Sequence, residues 1–269
     1  MELVDQIYRD PGIFAYFRIT LSAFFESSPL HNSPFLEMAQ STFSTQGFKM
    51  MKHALVIGAS GGIGQALSTE LDTKGYQVTR LSRREDGLDI TSEILVADKL
   101  GCLEKKFDLV IVATGVLSGP DGPEKSIRRL SSEETTALFA VNAIGPALIL
   151  KHSIRLLPRN RRAVFVALSA RVGSIGDNVL GGWYSYRASK AALNQLIRTA
   201  SIELKRSHKH LVCAALHPGT VATEFTQNYS SHAASPPEQA AKNILNVIDR
   251  FSPNDTGRFF DWAGNEVTW

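Results

Sequence analysis

From Lys52 onward the chain alternates short apolar runs with stretches that carry apolar residues at helical spacing. Runs at 54–57, 77–81, 109–113, 163–168, 212–216 and 258–261 carry apolar, β-branched or aromatic residues, and each reads as a strand. Asp89-Ile90 is expected to add a short strand to the first half. Apolar strands separated by helices predict a parallel sheet covered on both faces, an α/β doubly wound domain spanning residues 51–269. Ligand in such a sheet lies at the carboxyl ends of the strands.

Residues 1–50 do not share this alternation. They carry the acids Glu2, Asp5, Asp10, Glu26 and Glu37 against Arg9, Arg18 and Lys49, which argues against a transit peptide, and no basic n-region opens a secretory signal. Ser27-Ser28-Pro29 and Asn32-Ser33-Pro34 are loop-like. This N-terminal extension reads as an interaction segment, a poorly ordered tail or a start assigned upstream of Met50-Met51.

The first strand ends in Gly58-Ala59-Ser60-Gly61-Gly62-Ile63-Gly64, and Gln65-Ala66-Leu67-Ser68 then opens a helix. Strand, glycine turn and helix together form the context of a dinucleotide-binding motif, where backbone N–H groups approach a pyrophosphate at the helix N-terminus. Further along, Tyr186 and Lys190 stand four apart, one helical turn, so both face one ligand. An ammonium beside a phenol favours the phenolate, which makes Tyr186 a candidate proton donor or acceptor for a carbonyl or alcohol.

The spacing Gly58-x-x-x-Gly62-x-Gly64, taken with Tyr186 and Lys190, resembles the short-chain dehydrogenase/reductase family. The resemblance covers residues 52–269, and further landmarks fall in order. Ala113-Thr114-Gly115 stands where the family has Asn-Ala-Gly, Val141-Asn142-Ala143 matches the mid-helix asparagine, and Pro218-Gly219-Thr220-Val221-Ala222-Thr223 matches the turn beside the nicotinamide. Gly173 to Tyr184 resembles the C-factor-like branch. The resemblance implies a single Rossmann domain and an NAD(P)-dependent oxidoreductase acting on CH–OH or C=O groups. It implies Tyr186 as general acid, Lys190 as its electrostatic partner, Asn142 as support for a proton-relay water, and a serine that polarises the substrate oxygen. That serine is Ser169, which lies seventeen residues before Tyr186 and is followed by Ala170 rather than a second serine; Ser174 is the rival. Cofactor contacts are expected from Gly58, Ser60, Gly62, Ile63, Gly64, Ser82, Arg83, Asp89, Ala113, Gly115, Tyr186, Lys190, Pro218, Gly219, Val221 and Thr223.

Thr79-Arg80-Leu81-Ser82-Arg83-Arg84 closes the second strand without an acid before Glu85. An NAD site places a carboxylate there, whereas a 2′-phosphate needs cationic donors, so NADP is the expected cofactor, with Arg83 and Ser82 as readers.

Composition narrows the picture without redirecting it. The 269 residues are 43% hydrophobic and 20% charged, with a formal charge of +3, ordinary for a globular enzyme and too weak for nucleic acid. No run reaches the ~20 apolar residues of a membrane span. Cys213 reads as core, His208 and His210 as surface, Arg159-Asn160-Arg161-Arg162 as a solvated turn, and nothing has metal-ligand spacing. A cytoplasmic location and a small-molecule substrate follow as expectations, and a homo-oligomer is compatible with them. Eleven residues, including Phe225 and Tyr229, separate Thr223 from the expected helix cap at Ser235. Such a loop suits a small neutral aldehyde or ketone. The competing reading is a nucleotide-binding signalling protein with little turnover.

Overall fold

The computed structural model describes residues 51–119, 121–226 and 234–269, so the expectations for residues 1–50 lie outside the described residues. The unit Met51–Trp269 contains β1 (Lys52–Ile57), α1 (Gly62–Thr73), β2 (Tyr76–Leu81), the one-turn α2 (Arg83–Asp86), α3 (Glu93–Gly101) and β3 (Leu109–Val112). Then follow α4 (Ser132–Phe139), α5 (Gly145–Ser153), β4 (Ala163–Leu168), α6 (Tyr184–Leu204), β5 (Leu211–His217), α7 (Pro237–Arg250) and β6 (Phe259–Asp261). A π-helical turn, Ala140–Ile144, joins α4 to α5.

All strand pairs are parallel, in the order β2-β1-β3-β4-β5-β6. Alternate strand residues feed opposite layers, as the pleat requires. Leu55, Ile57, Val110, Val112, Phe165 and Ala167 pack with Leu193, Ile197 and Leu204 of α6, Ile149 and Leu150 of α5, and Val96 and Leu100 of α3. Ala54, Val56, Ile111, Val164 and Val166 pack with Leu67 and Leu71 of α1 and Ile244, Leu245 and Ile248 of α7. Both faces are therefore covered, which is why the inner strands β3, β4 and β5 are apolar on both sides, while the edge strand β2 exposes Gln77 and Arg80. The run Ser132–Leu156 is long and apolar enough to cross a bilayer by length and composition, but it supplies Leu138, Ile149 and Leu150 to the folded interior.

The fold corrects four expectations. Asp89-Ile90 forms no strand: Leu88 and Ile90 anchor in the core while the Asp89 carboxylate turns back to accept from Thr91 N–H at 2.9 Å and Oγ1–H at 2.7 Å. Ser235 does not cap α7. It pairs in a bridge with Val221, and α7 begins at Pro237, whose fixed φ suits the first helical position. His208 is buried, 2% exposed, because it closes the C-terminal turn of α6, where its Nδ1 meets Ser207 Oγ at 2.9 Å. Arg162 is no free surface charge: its guanidinium donates to the carbonyls of Ile248 and Phe251 at the end of α7, where a cation is favoured. Cys213 is core as expected, and burial pushes its thiol up to about 12.

The tightest backbone approach lies between the end of β1 and the start of α1. A Cβ on Gly64 would stand 2.1 Å from the carbonyl oxygen of Gly58, a backbone atom that cannot swing away. Gly64→Ala is expected to cost at least about 1–3 kcal/mol as overpacking. By contrast, a Cβ on Gly101 in α3 meets nothing within 4 Å, so Gly101→Ala should stabilise by roughly 0.4–1 kcal/mol. Thermal melts of both variants should move in opposite directions; a Gly64→Ala protein as stable as wild type would contradict this packing.

Candidate active site

The glycine turn is built by backbone geometry. Gly58 sits at φ +84°, open only to glycine at little cost, and both Gly58 N–H and Ala59 N–H donate to the Leu81 carbonyl at 2.8 and 3.2 Å. A Cβ on Gly62 would lie 2.8 Å from Thr223 Cγ2, so the chain beyond β5 closes directly onto α1. No side chain caps the N-terminus of α1. Its first-turn N–H groups thus face a cleft of about 710 Å³ that runs over the carboxyl ends of the strands. Ser60, Gly62 and Ile63 line the cleft, while Gly58 and Gly64 shape the turn behind it. Ala113 and Gly115 after β3, and Pro218, Gly219, Val221 and Thr223 after β5, line it as well. Uncapped amides at a positive helix end, beside a wall of small residues, fit the pyrophosphate of a dinucleotide.

At the far end of the cleft, α6 presents Tyr186 and Lys190. Tyr186 is 6% exposed, and its ring lies between Trp183, edge-on at 6.2 Å, and Phe225 at 6.1 Å. Lys190 is 3% exposed, and Nζ donates to the Leu168 carbonyl at the end of β4 at 2.9 Å. Burial pulls its amine from the usual 10.5 down to about 7. The phenol behaves differently from the sequence expectation. Burial raises the Tyr186 pKa above its ordinary value, so the phenol keeps its proton through neutral pH. The cause is desolvation: an anion in this apolar surround is disfavoured.

Asn142 lies in the π-helical turn and is fully buried. Its Oδ1 accepts from Val116 N–H at 2.9 Å, and its Nδ2 donates to the Val116 carbonyl at 2.8 Å and to Ser189 Oγ at 3.0 Å. Ser189 Oγ–H in turn donates to the Tyr186 carbonyl at 2.9 Å, which ties the asparagine to the first turns of α6. A Cβ on Gly115 would lie 3.4 Å from Asn142 Oδ1 and 3.6 Å from Lys190 Nζ. Only a glycine leaves the space between those two groups open.

The two candidate serines separate. Ser169 lines the cleft and donates to Asn194 Oδ1 at 2.7 Å. Ser174 does not line it; its Oγ accepts from Asp177 N–H at 3.1 Å within a surface loop. At the end of β2 the arginines separate too. Arg84 lines the cleft and Arg83 does not, because the one-turn α2 points the two side chains apart. Ser82 is committed locally: its Oγ accepts from Glu85 N–H at 3.2 Å and donates to Asp86 Oδ2 at 3.2 Å. Asp86 Oδ2 also accepts from Ser82 N–H at 2.7 Å, so that carboxylate is held in the turn. Asp89 stays with Thr91 and is absent from the cleft wall.

Two cleft residues carried no prior role. Thr114 Oγ1 and His217 Nδ1 are buried with no hydrogen-bond partner among the described residues, so each offers a polar contact to whatever fills the cleft. Burial pulls the His217 imidazole down to about 4 against the opposing pull of Asp261, so it is neutral at neutral pH. Thr114 stands inside the Ala113-Thr114-Gly115 turn and His217 directly before Pro218, but a single hydroxyl or imidazole has no spacing of its own to assign it a role. No group of three or more His, Cys, Asp or Glu among the described residues converges as a metal site.

Comparison with known proteins gives a consistent result. The family described as short chain dehydrogenase matches residues 96–234. A 1-hydroxy-2-glutathionyl-2-methyl-3-butene dehydrogenase of Rhodococcus sp. (strain AD45) is 31% identical over 235 residues, covering 81% of this chain and 100% of that protein. The C-signal protein of Myxococcus xanthus is 37% identical over 134 residues, 49% of this chain and 76% of that one. The NADPH-bound carbonyl reductase from chicken fatty liver superposes with a TM-score of 0.71 at 21% identity, covering 84% of this chain and 97% of that chain.

The buried amine gives a stability test. In the unfolded chain Lys190 holds its proton up to about 10.5, but in the folded chain only up to about 7. Between those values the unfolded state binds more protons, so stability from this group rises with pH across that window. Lys190→Met removes the penalty. Its Tm, compared with wild type, should be most favourable at or below about pH 7 and lose that advantage toward about pH 10. A Tm difference independent of pH would show that the amine is not desolvated.

Proposed function

The chain belongs to the short-chain dehydrogenase family, an oxidoreductase family, and from that membership we propose an NADPH-dependent reductase of small aldehydes or ketones. The observation that carries the reading is that Tyr186, Lys190 and Ser169 line one end of a cleft, with Asn142 buried behind Gly115, while the other end is a glycine turn and an uncapped helix. The α1 amides would hold the pyrophosphate, Lys190 and Gly115 the nicotinamide ribose, and the turn from Pro218 to Thr223 the nicotinamide. When bound, the reduced cofactor supplies hydride to the carbonyl carbon.

Everything else is the work of side chains. Tyr186 retains its proton at neutral pH, so it approaches a carbonyl oxygen as an acid and donates as charge develops there. Ser169 lines the same cleft, and its hydroxyl, which donates to Asn194 here, would turn from Asn194 to hold the substrate oxygen near the phenol. Lys190, with an amine near neutrality, accepts or releases a proton at little cost, and Asn142 fixes the backbone beside it. Leu117, Ala170, Val172, Trp183 and Phe225 form apolar walls, while the charges of Arg171 and Glu224 sit on exposed residues at the mouth. A substrate with many hydroxyls would leave buried groups unpaired there, at about 1–3 kcal/mol each. A compact neutral carbonyl avoids that penalty.

The cofactor preference rests on Arg84 in the cleft, with Arg83 beside it and Asp86 bonded to Ser82. The Myxococcus relative's name, together with Ala170 in place of a serine, supports a second reading as a nucleotide-binding protein with little turnover. Consumption of NADPH with a panel of simple aldehydes and ketones separates the two.

Tyr186→Phe should bind NADPH normally and lose turnover by roughly two to four orders of magnitude. Near wild-type kcat would remove the phenol from the reaction. For the cofactor, Arg84→Ala should weaken NADPH roughly ten- to a hundredfold and leave NADH nearly unchanged, with a smaller effect for Arg83→Ala. Titrating each variant with both cofactors decides; equal losses for NADH and NADPH would mean the arginines do not read a 2′-phosphate.

A further inference from the structure

α6 carries the reactive phenol yet lacks a cap of its own. Its N-cap residue is Trp183, whose side chain makes no capping hydrogen bond. Trp183 also sits at φ +53°, directly after Gly181 at +64° and Gly182 at +65°. Three successive left-handed residues, the last of them a tryptophan, are a costly entry into a helix and need support from outside.

That support comes from Glu124, 61 residues before Ser185, in the loop between β3 and α4. Glu124 is only 4% exposed. Its carbonyl accepts the Trp183 N–H, and its side chain accepts the Ser185 N–H at 3.3 Å. Ser185 is the second residue of α6, so this amide is the one a Ser or Asp at the N-cap would ordinarily satisfy. The Ser185 hydroxyl also bonds the Glu124 carboxylate and meets Thr135 Oγ1 of α4 at 2.7 Å. On the same stretch Arg187 Nε donates to the Gly182 carbonyl at 2.9 Å, closing the turn from the other side. The residue next to Ser185 is Tyr186, and the ring of Trp183 packs on that phenol.

We propose that Glu124 is a positioning residue for Tyr186: a remote cap that fixes the first turn of α6, and with it the phenol and its Trp183 wall. It touches neither the reacting atoms nor the dinucleotide turn, and acts only through the Ser185 and Trp183 backbone. This inference rests on the assignment of Tyr186 as the acid. It predicts that loss of the cap lowers kcat without loosening the cofactor, because Lys190 lies a full turn further on and keeps its own anchor at Leu168.

The experiment compares Glu124→Ala and Glu124→Gln, each alone and combined with Tyr186→Phe. Glu124→Ala should lower kcat roughly tenfold to a hundredfold while the Kd for NADPH stays within about twofold. Glu124→Gln keeps an acceptor for Ser185 and should recover most of the loss. In the Tyr186→Phe background, Glu124→Ala should add little, since its effect passes through the phenol. A second readout does not depend on turnover: the tyrosinate absorbance titration, taken as the difference between each protein and its Tyr186→Phe counterpart. The Tyr186 transition should move toward the ordinary phenol value in Glu124→Ala. An unchanged transition, or an equal loss in both backgrounds accompanied by weakened NADPH binding, overturns the proposal. Absence of carbonyl turnover in wild type would instead overturn the reductase reading, with the titration still deciding the role of Glu124.

Discussion

The amine of Lys190 is buried and, among the described residues, donates to one carbonyl, that of Leu168 at the end of β4. Much of the site can be understood as what surrounds and tolerates that burial. Gly115 has no side chain, which leaves open the space that Nζ and Asn142 share. The π-helical turn widens the α4–α5 run and places Asn142 where its amide can bridge Val116 and Ser189. A buried amine of lowered basicity is unfavourable for folding, and such perturbed groups concentrate where chemistry needs them. The stabilising counterpart is the packing of Leu193, Ile197 and Leu204 further along the same helix.

Much of this was legible in the sequence because it is local. Strand runs, the glycine turn and the one-turn interval from Tyr186 to Lys190 are encoded within a few residues, and the six strands lie where their apolar runs stand. What failed was decided by side-chain hydrogen bonds and packing that residue type alone does not announce. Asp89-Ile90 has the composition of a strand end, yet Thr91 captures the carboxylate and the pair turns. His208 looks like a solvated residue until the end of α6 folds over it. Arg83 and Arg84 are indistinguishable by type; the Ser82 and Asp86 bonds that orient α2 decide which one faces the cleft.

The same distinction explains the serines. Ser169 continues β4 and donates its backbone N–H to Leu216 of β5, so sheet pairing delivers its hydroxyl to the cleft. Ser174 lies past a 3₁₀ turn and is spent on a loop amide. Position relative to the strand ends, rather than residue type or spacing to Tyr186, is what separates them. Glu124 left no local trace at all, since its partners begin sixty residues later.

Helix α6 unites these points. Its buried face runs Tyr186, Lys190, Leu193, Asn194, Ile197, Ser201 and Leu204, a single stripe at helical spacing. The C-terminal part of the stripe is apolar and packs on the sheet, whereas the N-terminal part is polar and faces the cleft. One helix therefore serves as core and as scaffold of the candidate site, and the two roles meet near Asn194, which bonds Ser169. Apolar packing can hold the far turns in place, but it cannot hold the first turn, where the stripe opens onto a cleft. Directional bonds must hold it instead: Ser189 and Arg187 make them from within the helix, and Glu124 makes them from a loop far away in the chain. The phenol is thus positioned by hydrogen bonds at one end of a helix whose place in the fold is set by hydrophobic burial at the other.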